Sequence, residues 1–122
     1  MERVTGIGGV FLRARDAAAL REWYARHLGV EVSEWGGQQF HWSPGGSTTW
    51  AVFEAGSDYF GDRGQGHMIN FRVADLDAML AQLRAAGVEV VDEIQEHEFG
   101  RFGWAVDGEG NRIELWQPPA GA

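Results

Sequence analysis

The order of apolar and polar residues near the C-terminus predicts two strands joined by a tight turn. Residues 102–106 are apolar and aromatic, which suits a half-buried sheet surface. Residues 107–111 read Asp-Gly-Glu-Gly-Asn, and these residue types favour chain reversal. Residues 112–116 then alternate in polarity, as a second strand would. We therefore predict a β-hairpin in this region.

The second strand of this hairpin has two chemically different faces. Ile113 and Leu115 share one face and suit a core. Arg112, Glu114 and Trp116 share the other face, where a carboxylate stands beside an indole. Because that mixture is unusual for a face in contact with water alone, we interpret it as the wall of a cavity.

The N-terminal half is predicted to contain a strand, a helix and three further strands. The first strand spans residues 4–14, and Asp16 is a favourable N-cap for a helix that Gly29 ends. The buried stripe of this helix has helical spacing and consists of Leu20, Trp23, Tyr24, His27 and Leu28. The further strands are predicted at 30–35, 39–42 and 48–53.

The C-terminal half repeats this order. A strand at 68–74 leads to Asp75, which caps a helix that Gly87 ends, and a strand at 88–91 precedes the hairpin. Two short sequences also recur: Arg-Ala-Arg-Asp (13–16) against Arg-Val-Ala-Asp (72–75), and Gly-Val-Glu-Val at 29–32 and 87–90. Repetition at this length predicts two similar units that pack together.

The predicted fold class is therefore α+β, with two tandem βαβββ units that form a curved mixed sheet with a shared cup and helices on the outer face. We expect residues 1–122 to form a single domain, with unit one at about 4–54, a connection at 55–65 and unit two at about 66–117. The residues predicted to face the helices are Val10, Leu12, Ile69, Phe71, Ile113 and Leu115. Those predicted to face the cup are Gly9, Phe11, Arg13, Thr48, Trp50, Val52, Met68, Asn70, Arg72, Arg112, Glu114 and Trp116.

Composition narrows the classes of function. A chain of 122 residues without cysteine has neither a disulfide framework nor a thiolate metal site. Its net charge of -8 argues against nucleic acid and anionic membranes as partners, because both need a basic surface. No apolar run follows the N-terminus, so we expect no signal peptide or membrane span and a cytoplasmic protein. Six Trp and seven Phe suit either core packing or a pocket for a flat aromatic ligand.

Three features together resemble the vicinal oxygen chelate superfamily, which includes glyoxalase I, bleomycin resistance proteins, extradiol dioxygenases and methylmalonyl-CoA epimerase. They are the doubled unit, the strand-Asp-helix junctions at Asp16 and Asp75, and the closing strand Gly-Asn-Arg-Ile-Glu-Leu-Trp at 110–116. The resemblance covers nearly the whole chain and is closer to uncharacterised glyoxalase-like proteins than to any named enzyme. It implies the two-unit fold and, for the metalloenzymes of the family, up to four metal ligands in the cup.

The four ligand positions that the resemblance implies hold Gly9, Trp50, Met68 and Glu114 in this chain. Only the glutamate suits a hard divalent ion, because glycine has no side chain, indole only donates and a thioether is too soft. We therefore predict no metal or other cofactor. A non-standard metal site of His41, His67 and Glu114 stays open as an alternative.

The resulting hypothesis is a metal-free binding protein of this superfamily that holds a small, partly aromatic or cationic molecule for sequestration or resistance. Its ligand-binding residues are predicted to be Phe11, Arg13, Trp50, Met68, Asn70, Arg72 and Trp116. Because bleomycin resistance proteins are homodimers with ligand grooves at the subunit interface, the resemblance also implies a homodimer.

Three roles are open for Glu114: an ion pair with an arginine on its face, an anchor for a ligand, or a catalytic general base. The last role defines the alternative function, a lyase, an isomerase or a dioxygenase-type enzyme of the same superfamily that uses Glu114 or a non-standard metal site. The loops at 58–61 and 99–103 place aromatic residues beside glycines, a composition that mobile lids share with ordinary loops.

Overall fold

The computed structural model describes residues 1–3, 7–62 and 64–120, which form two helices and one four-stranded sheet. The elements in chain order are α1 (Ala17–Leu28), β1 (Asn70–Arg72), α2 (Leu76–Ala85), β2 (Gln95–His97), β3 (Gly100–Val106) and β4 (Arg112–Gln117). The strands lie in the order β1-β4-β3-β2, with β1 parallel to β4 and the other neighbours antiparallel. This curved, open mixed sheet with two helices confirms the predicted α+β fold class.

The helix caps are those that the sequence predicts. The Asp16 carboxylate accepts a hydrogen bond from the Ala19 N–H, and the Asp75 carboxylate accepts one from the Ala78 N–H, both at 3.0 Å. Gly29 ends α1 at a φ of 68°, a left-handed conformation that glycine adopts without steric cost. Neither helix of the described chain has the length and apolar character that crossing a membrane requires.

The core lies between α2 and the sheet. Its nearly fully buried members are Leu76, Leu80, Leu83, Ala105, Ile113 and Leu115. Ile113 and Leu115 therefore face the helices, as predicted, and Glu114, which stands between them, faces the opposite side of the sheet. A one-residue shift of β4 would expose both side chains, so the core fixes the direction in which Glu114 points.

The turn between β3 and β4 is organised by one buried carboxylate. The Asp107 Oδ1 atom accepts hydrogen bonds from the backbone N–H groups of Glu109 and Asn111, both at 2.9 Å. The Asn111 amide donates to Oδ1 at 3.0 Å and to Oδ2 at 2.9 Å, and the Tyr24 hydroxyl on α1 donates to Oδ2 at 2.7 Å. Burial, and then the hydrogen bond to Asp107, raises the pKa of the Tyr24 phenol well above its ordinary value.

The same turn contacts the start of α1. The Glu109 carboxylate accepts hydrogen bonds from the N–H groups of Arg15 and Asp16, at 3.1 and 3.3 Å, and the first of these holds the pKa of Glu109 below its usual value. Gly108 lies against Trp23, where an added Cβ would stand 3.0 Å from the indole. A larger residue at this position would require the Trp23 indole to shift, because α1 packs directly on the backbone of the turn.

The strands next to the hairpin differ in part from the prediction. The predicted strand at 88–91 forms a single bridge, between Val90 and Ala105, and the strand β2 lies further along at Gln95–His97. The predicted strand at 68–74 is a strand only at Asn70–Arg72. The side-chain pattern did not reveal β2, because its side chains are largely exposed and its backbone pairing with β3 defines it.

The first half differs most from the prediction. Within the described residues, no strand forms in the predicted segments 7–14, 30–35, 39–42 and 48–53. Residues 4–6 of the first predicted strand lie outside the described residues. Val10 and Leu12, which were expected to face the helices, are 59% and 54% exposed. Alternating side chains assign two faces to a segment but provide no hydrogen-bonded neighbour, and a strand requires both.

Candidate functional site

Glu114 lies at the centre of the sheet face opposite the helices. It is paired with Trp104 on β3 and with Asn70 on β1. Residues that are directly opposite in neighbouring strands extend their side chains to the same face. The register therefore brings a carboxylate, an amide and an indole together on the face that the sequence predicts to line the cup.

The Glu114 carboxylate is 6% exposed and receives hydrogen bonds from three neutral side chains. Asn70 Nδ2 donates to Oε1 at 2.7 Å, while Trp104 Nε1 and the Tyr59 hydroxyl donate to Oε2 at 2.9 and 2.5 Å. Glu114 forms no ion pair with another described residue, so its partners are not the arginines on its face. A carboxylate has about four lone-pair positions, so one position on Oε1 accepts no hydrogen bond from a described residue.

Tyr59 reaches Glu114 from the connection between the two halves. Its loop contains a turn in which the Gly61 N–H donates to the Asp58 carbonyl at 2.9 Å. The Tyr59 ring stacks on the Phe53 ring, with centroids 5.1 Å apart, and contacts the Trp104 ring edge-on, with centroids 5.7 Å apart. Burial, followed by the hydrogen bond to Glu114, raises the pKa of the Tyr59 phenol well above its ordinary value, so the hydroxyl acts as a donor.

A glutamine attaches this connection to β4. Gln65 accepts a hydrogen bond from the Arg112 N–H at 2.7 Å and donates to the Arg112 carbonyl at 2.9 Å. Its side-chain amide thus pairs with β4 much as a neighbouring strand would. This contact holds the C-terminal end of the connection, whereas Tyr59 lies six residues earlier.

A row of rings crosses the same face beside Glu114. His97 stacks on Phe102 with ring centroids 5.1 Å apart, and Phe102 stacks on Trp116 with ring centroids 6.2 Å apart. The guanidinium carbon of Arg72 lies over Trp116, 5.4 Å from the ring centroid. A second guanidinium, that of Arg112, lies 5.2 Å from the Trp104 ring. Both arginines are therefore placed over indoles, where cation–π attraction holds them.

A cavity of about 460 Å³ opens at the end of this row. It is lined by residues 72–74 and 117–120, so Arg72 belongs both to the cavity and to the ring row. The volume is within the range of small-molecule sites, which is about 300–1,000 Å³.

The structure brings together some of the predicted site residues. Asn70, Arg72, Glu114 and Trp116 share one face, as the alternation in the second half predicts. Of the others, Phe11 and Trp50 are 91% and 76% exposed, Arg13 is also exposed, and Met68 is half-buried. At Gly9, an added Cβ would meet the Phe11 ring at 3.3 Å.

The donor set does not fit the metal site that the resemblance implies. Of its four positions only Glu114 offers an oxygen ligand, and both of its oxygens already accept hydrogen bonds. The described residues contain no group of three or more His, Cys, Asp or Glu placed to hold a metal ion. His41 and His67 are therefore not gathered with Glu114 into the alternative site considered above.

Two important residues were not among the predicted site residues. Trp104 is 1% exposed and could have been found by pairing the two hairpin strands, because that register sets it opposite Glu114. Tyr59 lies in the loop at 58–61, whose composition of aromatic residues beside glycines is visible in the sequence. A loop has no periodicity that would show where its side chains point, so the sequence does not indicate the contact with Glu114.

The sequence model of the Glyoxalase/Bleomycin resistance protein/Dioxygenase superfamily matches residues 6–115. The chain belongs to this superfamily, as the closing strand and the strand-Asp-helix junctions indicated. Among curated proteins, none matches the chain.

Solved structures of the same fold show low sequence identity. A glyoxylase/bleomycin resistance protein/dioxygenase domain from Frankia sp. EAN1pec is 21% identical, with a TM-score of 0.61, over 98% of this chain and 96% of that one. Lactoylglutathione lyase from Agrobacterium tumefaciens is 20% identical, with a TM-score of 0.61, over 95% of this chain and 96% of that one. TnmS3, an antibiotic binding protein from Streptomyces sp. CB03234, is 19% identical, with a TM-score of 0.54, over 87% of this chain and 89% of that one. At these identities the similarity establishes the fold alone.

Proposed function

We propose that this chain is a metal-free small-molecule-binding protein of the sequestration or resistance type, with its ligand on the sheet face around Glu114. One observation carries the proposal: a buried carboxylate, whose donors among the described residues are all neutral, stands beside a row of aromatic rings on the same face. Small-molecule sites are mostly apolar, with a few placed polar groups that orient the ligand. The cytoplasmic location expected from the sequence stays part of this proposal.

Two further observations support a flat, partly aromatic ligand. Trp116 and Phe102 present stacked rings, and the Arg72 guanidinium, which lies over Trp116, lines the cavity at the end of the row. TnmS3, which shares the fold, is an antibiotic binding protein. That relationship makes a ligand of the antibiotic kind a reasonable first class to screen.

A screen of small flat aromatic compounds by ligand-observed NMR tests the proposal. For a compound that binds, we expect Trp116→Leu to weaken affinity at least tenfold, because it removes a ring of the proposed contact surface. Trp35→Leu is the matched control, since Trp35 is 67% exposed and lies outside this face. Equal affinity in the Trp116 variant and the wild type would contradict the site assignment.

We also propose that the protein is a homodimer. The first half exposes large apolar side chains, including Phe11, Trp42, Trp50 and Val52 at 91%, 82%, 76% and 79%. Exposed apolar side chains of this size and number favour an interface, and a second copy of the chain is the occupant we propose. Sedimentation velocity should give a dimer in the wild type and a shift toward monomer in Trp50→Asp, whereas a wild-type monomer at every concentration would refute the dimer.

Metal content by mass spectrometry, on protein purified without chelator, tests the metal-free part of the proposal. We expect no stoichiometric metal in the wild type or in Glu114→Gln. Near-stoichiometric Zn, Ni, Mn or Fe that falls in the variant would restore the case for a metalloenzyme.

The free lone-pair position on Glu114 Oε1 favours a second candidate, a lyase or isomerase in which this carboxylate takes a proton from the substrate. Under this function Glu114→Gln abolishes turnover while Trp116→Leu lowers it less. Under the binding function, no substrate turns over in the wild type.

A further inference from the structure

We propose that Tyr59 is an internal occupant of the ligand site, and that its phenol marks where a phenolic hydroxyl of the ligand binds Glu114. The inference rests on the proposed function and specifies its ligand class: neutral aromatic molecules that carry a hydroxyl on the ring. Such a ligand would replace Tyr59 at the Glu114 Oε2 atom and repeat its contacts.

The three donors to Glu114 are held in different ways. Asn70 and Trp104 lie on β1 and β3, and their positions are fixed by the sheet register. Tyr59 lies on a loop, where the Tyr59 N–H donates to the Ser57 hydroxyl at 3.2 Å and the ring stacks on the half-exposed Phe53. Tyr59 is therefore the one of these three donors that can leave without breaking the sheet.

The place that Tyr59 would vacate has the shape and chemistry of a phenol subsite. Its floor is the edge-on Trp104 ring, and its polar end is Oε2, which the Tyr59 hydroxyl approaches to 2.5 Å. If Tyr59 left without a substitute, the buried carboxylate would lose one of its donors, which is unfavourable. A ligand without a donor would leave that loss uncorrected, so the site discriminates in favour of a hydroxyl.

The charges around the subsite favour a neutral donor over an ammonium group. The Arg112 guanidinium lies 5.2 Å from the Trp104 ring and packs against Gly61, two residues after Tyr59. The Arg72 guanidinium lies over Trp116, further along the same face. The Arg112 guanidinium offsets the attraction of Glu114 for a cationic ligand, and Glu114 repels an anionic one. This narrows the aromatic or cationic ligand expected from the sequence to a neutral aromatic alcohol.

Tyr59 then competes with the ligand. Because the binding-competent state is the one with Tyr59 displaced, the apparent affinity falls in proportion to the fraction of molecules in that state. Tyr59→Phe keeps the ring and removes the hydrogen bond to Glu114, so it should increase the open fraction and strengthen binding of a phenol.

The chain offers a direct readout, because Tyr24 and Tyr59 are its only two tyrosines. Protein labelled with 3-fluorotyrosine gives two ¹⁹F signals, which Tyr59→Phe assigns. We would titrate it with 2-naphthol and with 2-methoxynaphthalene, which has a similar ring system but no hydroxyl donor. Affinities of both compounds would be measured for the wild type, Tyr59→Phe, Glu114→Gln and the control Tyr24→Phe.

We expect 2-naphthol to bind at least tenfold more tightly than 2-methoxynaphthalene and to move the Tyr59 signal while the Tyr24 signal stays. Tyr59→Phe should bind 2-naphthol at least threefold more tightly than the wild type does. Glu114→Gln should lose the preference for 2-naphthol over 2-methoxynaphthalene, whereas Tyr24→Phe should keep that preference. Equal binding of the two compounds, with both weakened by Trp116→Leu, would overturn this inference and leave the proposed function intact. A Tyr59 signal that does not move, or binding of neither compound, would also overturn it.

Discussion

Both tyrosines of this chain donate to a buried carboxylate, but the two pairs have different surroundings. Asp107 accepts two backbone N–H groups and an asparagine amide in addition to the Tyr24 hydroxyl. The donors to Glu114 in the part of the chain that the structure describes are all side chains, and one of them, Tyr59, comes from a loop.

The difference separates a structural pair from a candidate binding pair. The backbone donors to Asp107 belong to its own turn, within four residues, so they cannot be exchanged for groups of a ligand. Tyr59 is 55 residues from Glu114 in sequence, and its contact depends on how the connection packs. Similar chemistry therefore serves stability in the turn between β3 and β4 and leaves room for exchange in the middle of β4.

Replacement of the turn carboxylate should have the largest effect on stability. Asp107→Ala leaves two backbone N–H groups, the Asn111 amide and the Tyr24 hydroxyl without their acceptor in a buried site. We expect the free energy of unfolding to fall by about 3–4 kcal/mol, as measured by urea denaturation. Asp107→Asn retains one acceptor oxygen and should lose less. A loss below 1 kcal/mol in the alanine variant would show that water replaces these bonds readily.

The two tyrosines should differ when each loses only its hydroxyl. Tyr24→Phe breaks a hydrogen bond to a buried carboxylate in the rigid core and should cost about 1.5–3 kcal/mol of unfolding free energy. Tyr59→Phe breaks an equivalent bond in a loop that is partly exposed, and we expect it to cost less than 1 kcal/mol. Urea denaturation of the two variants in parallel is the measurement. Equal losses would remove the distinction drawn between the two pairs.

The sequence predicted α2 and the β3–β4 hairpin well because their signals are local and agree with one another. Asp75 caps its helix, Ile113 and Leu115 alternate with Glu114, and the turn at 107–111 forms where its residue types demand it. Each of these features depends on spacing within a few residues, so it could be predicted before any tertiary contact was known.

The first half shows where this reasoning ends. It carries the same pattern, yet only α1 forms there among the described residues, and side chains such as Trp50 and Phe11 are exposed. Site residues assigned by analogy between the halves, including Arg13 and Met68, remain predictions. Tyr59 could not be assigned either, because its contact with Glu114 depends on the packing of a loop without periodicity.

Alkaline pH offers the finest comparison of the two pairs. Both phenols have raised pKa values in the folded protein, so the unfolded chain releases these protons first, near pH 10. Their contribution to stability is complete below pH 10 and is lost as pH rises above it, by at most about 1.4 kcal/mol per pH unit for each proton. The chain contains no lysine or cysteine, so no other side chain titrates strongly in this range. Between pH 10 and 11 both folded phenols keep their protons, so Tyr24→Phe and Tyr59→Phe should each remove a similar fraction of one proton from the slope. A much smaller change in one variant would show that its phenol loses its proton as readily in the folded protein as in the unfolded chain, and at Tyr59 that result would contradict the hydrogen bond to Glu114.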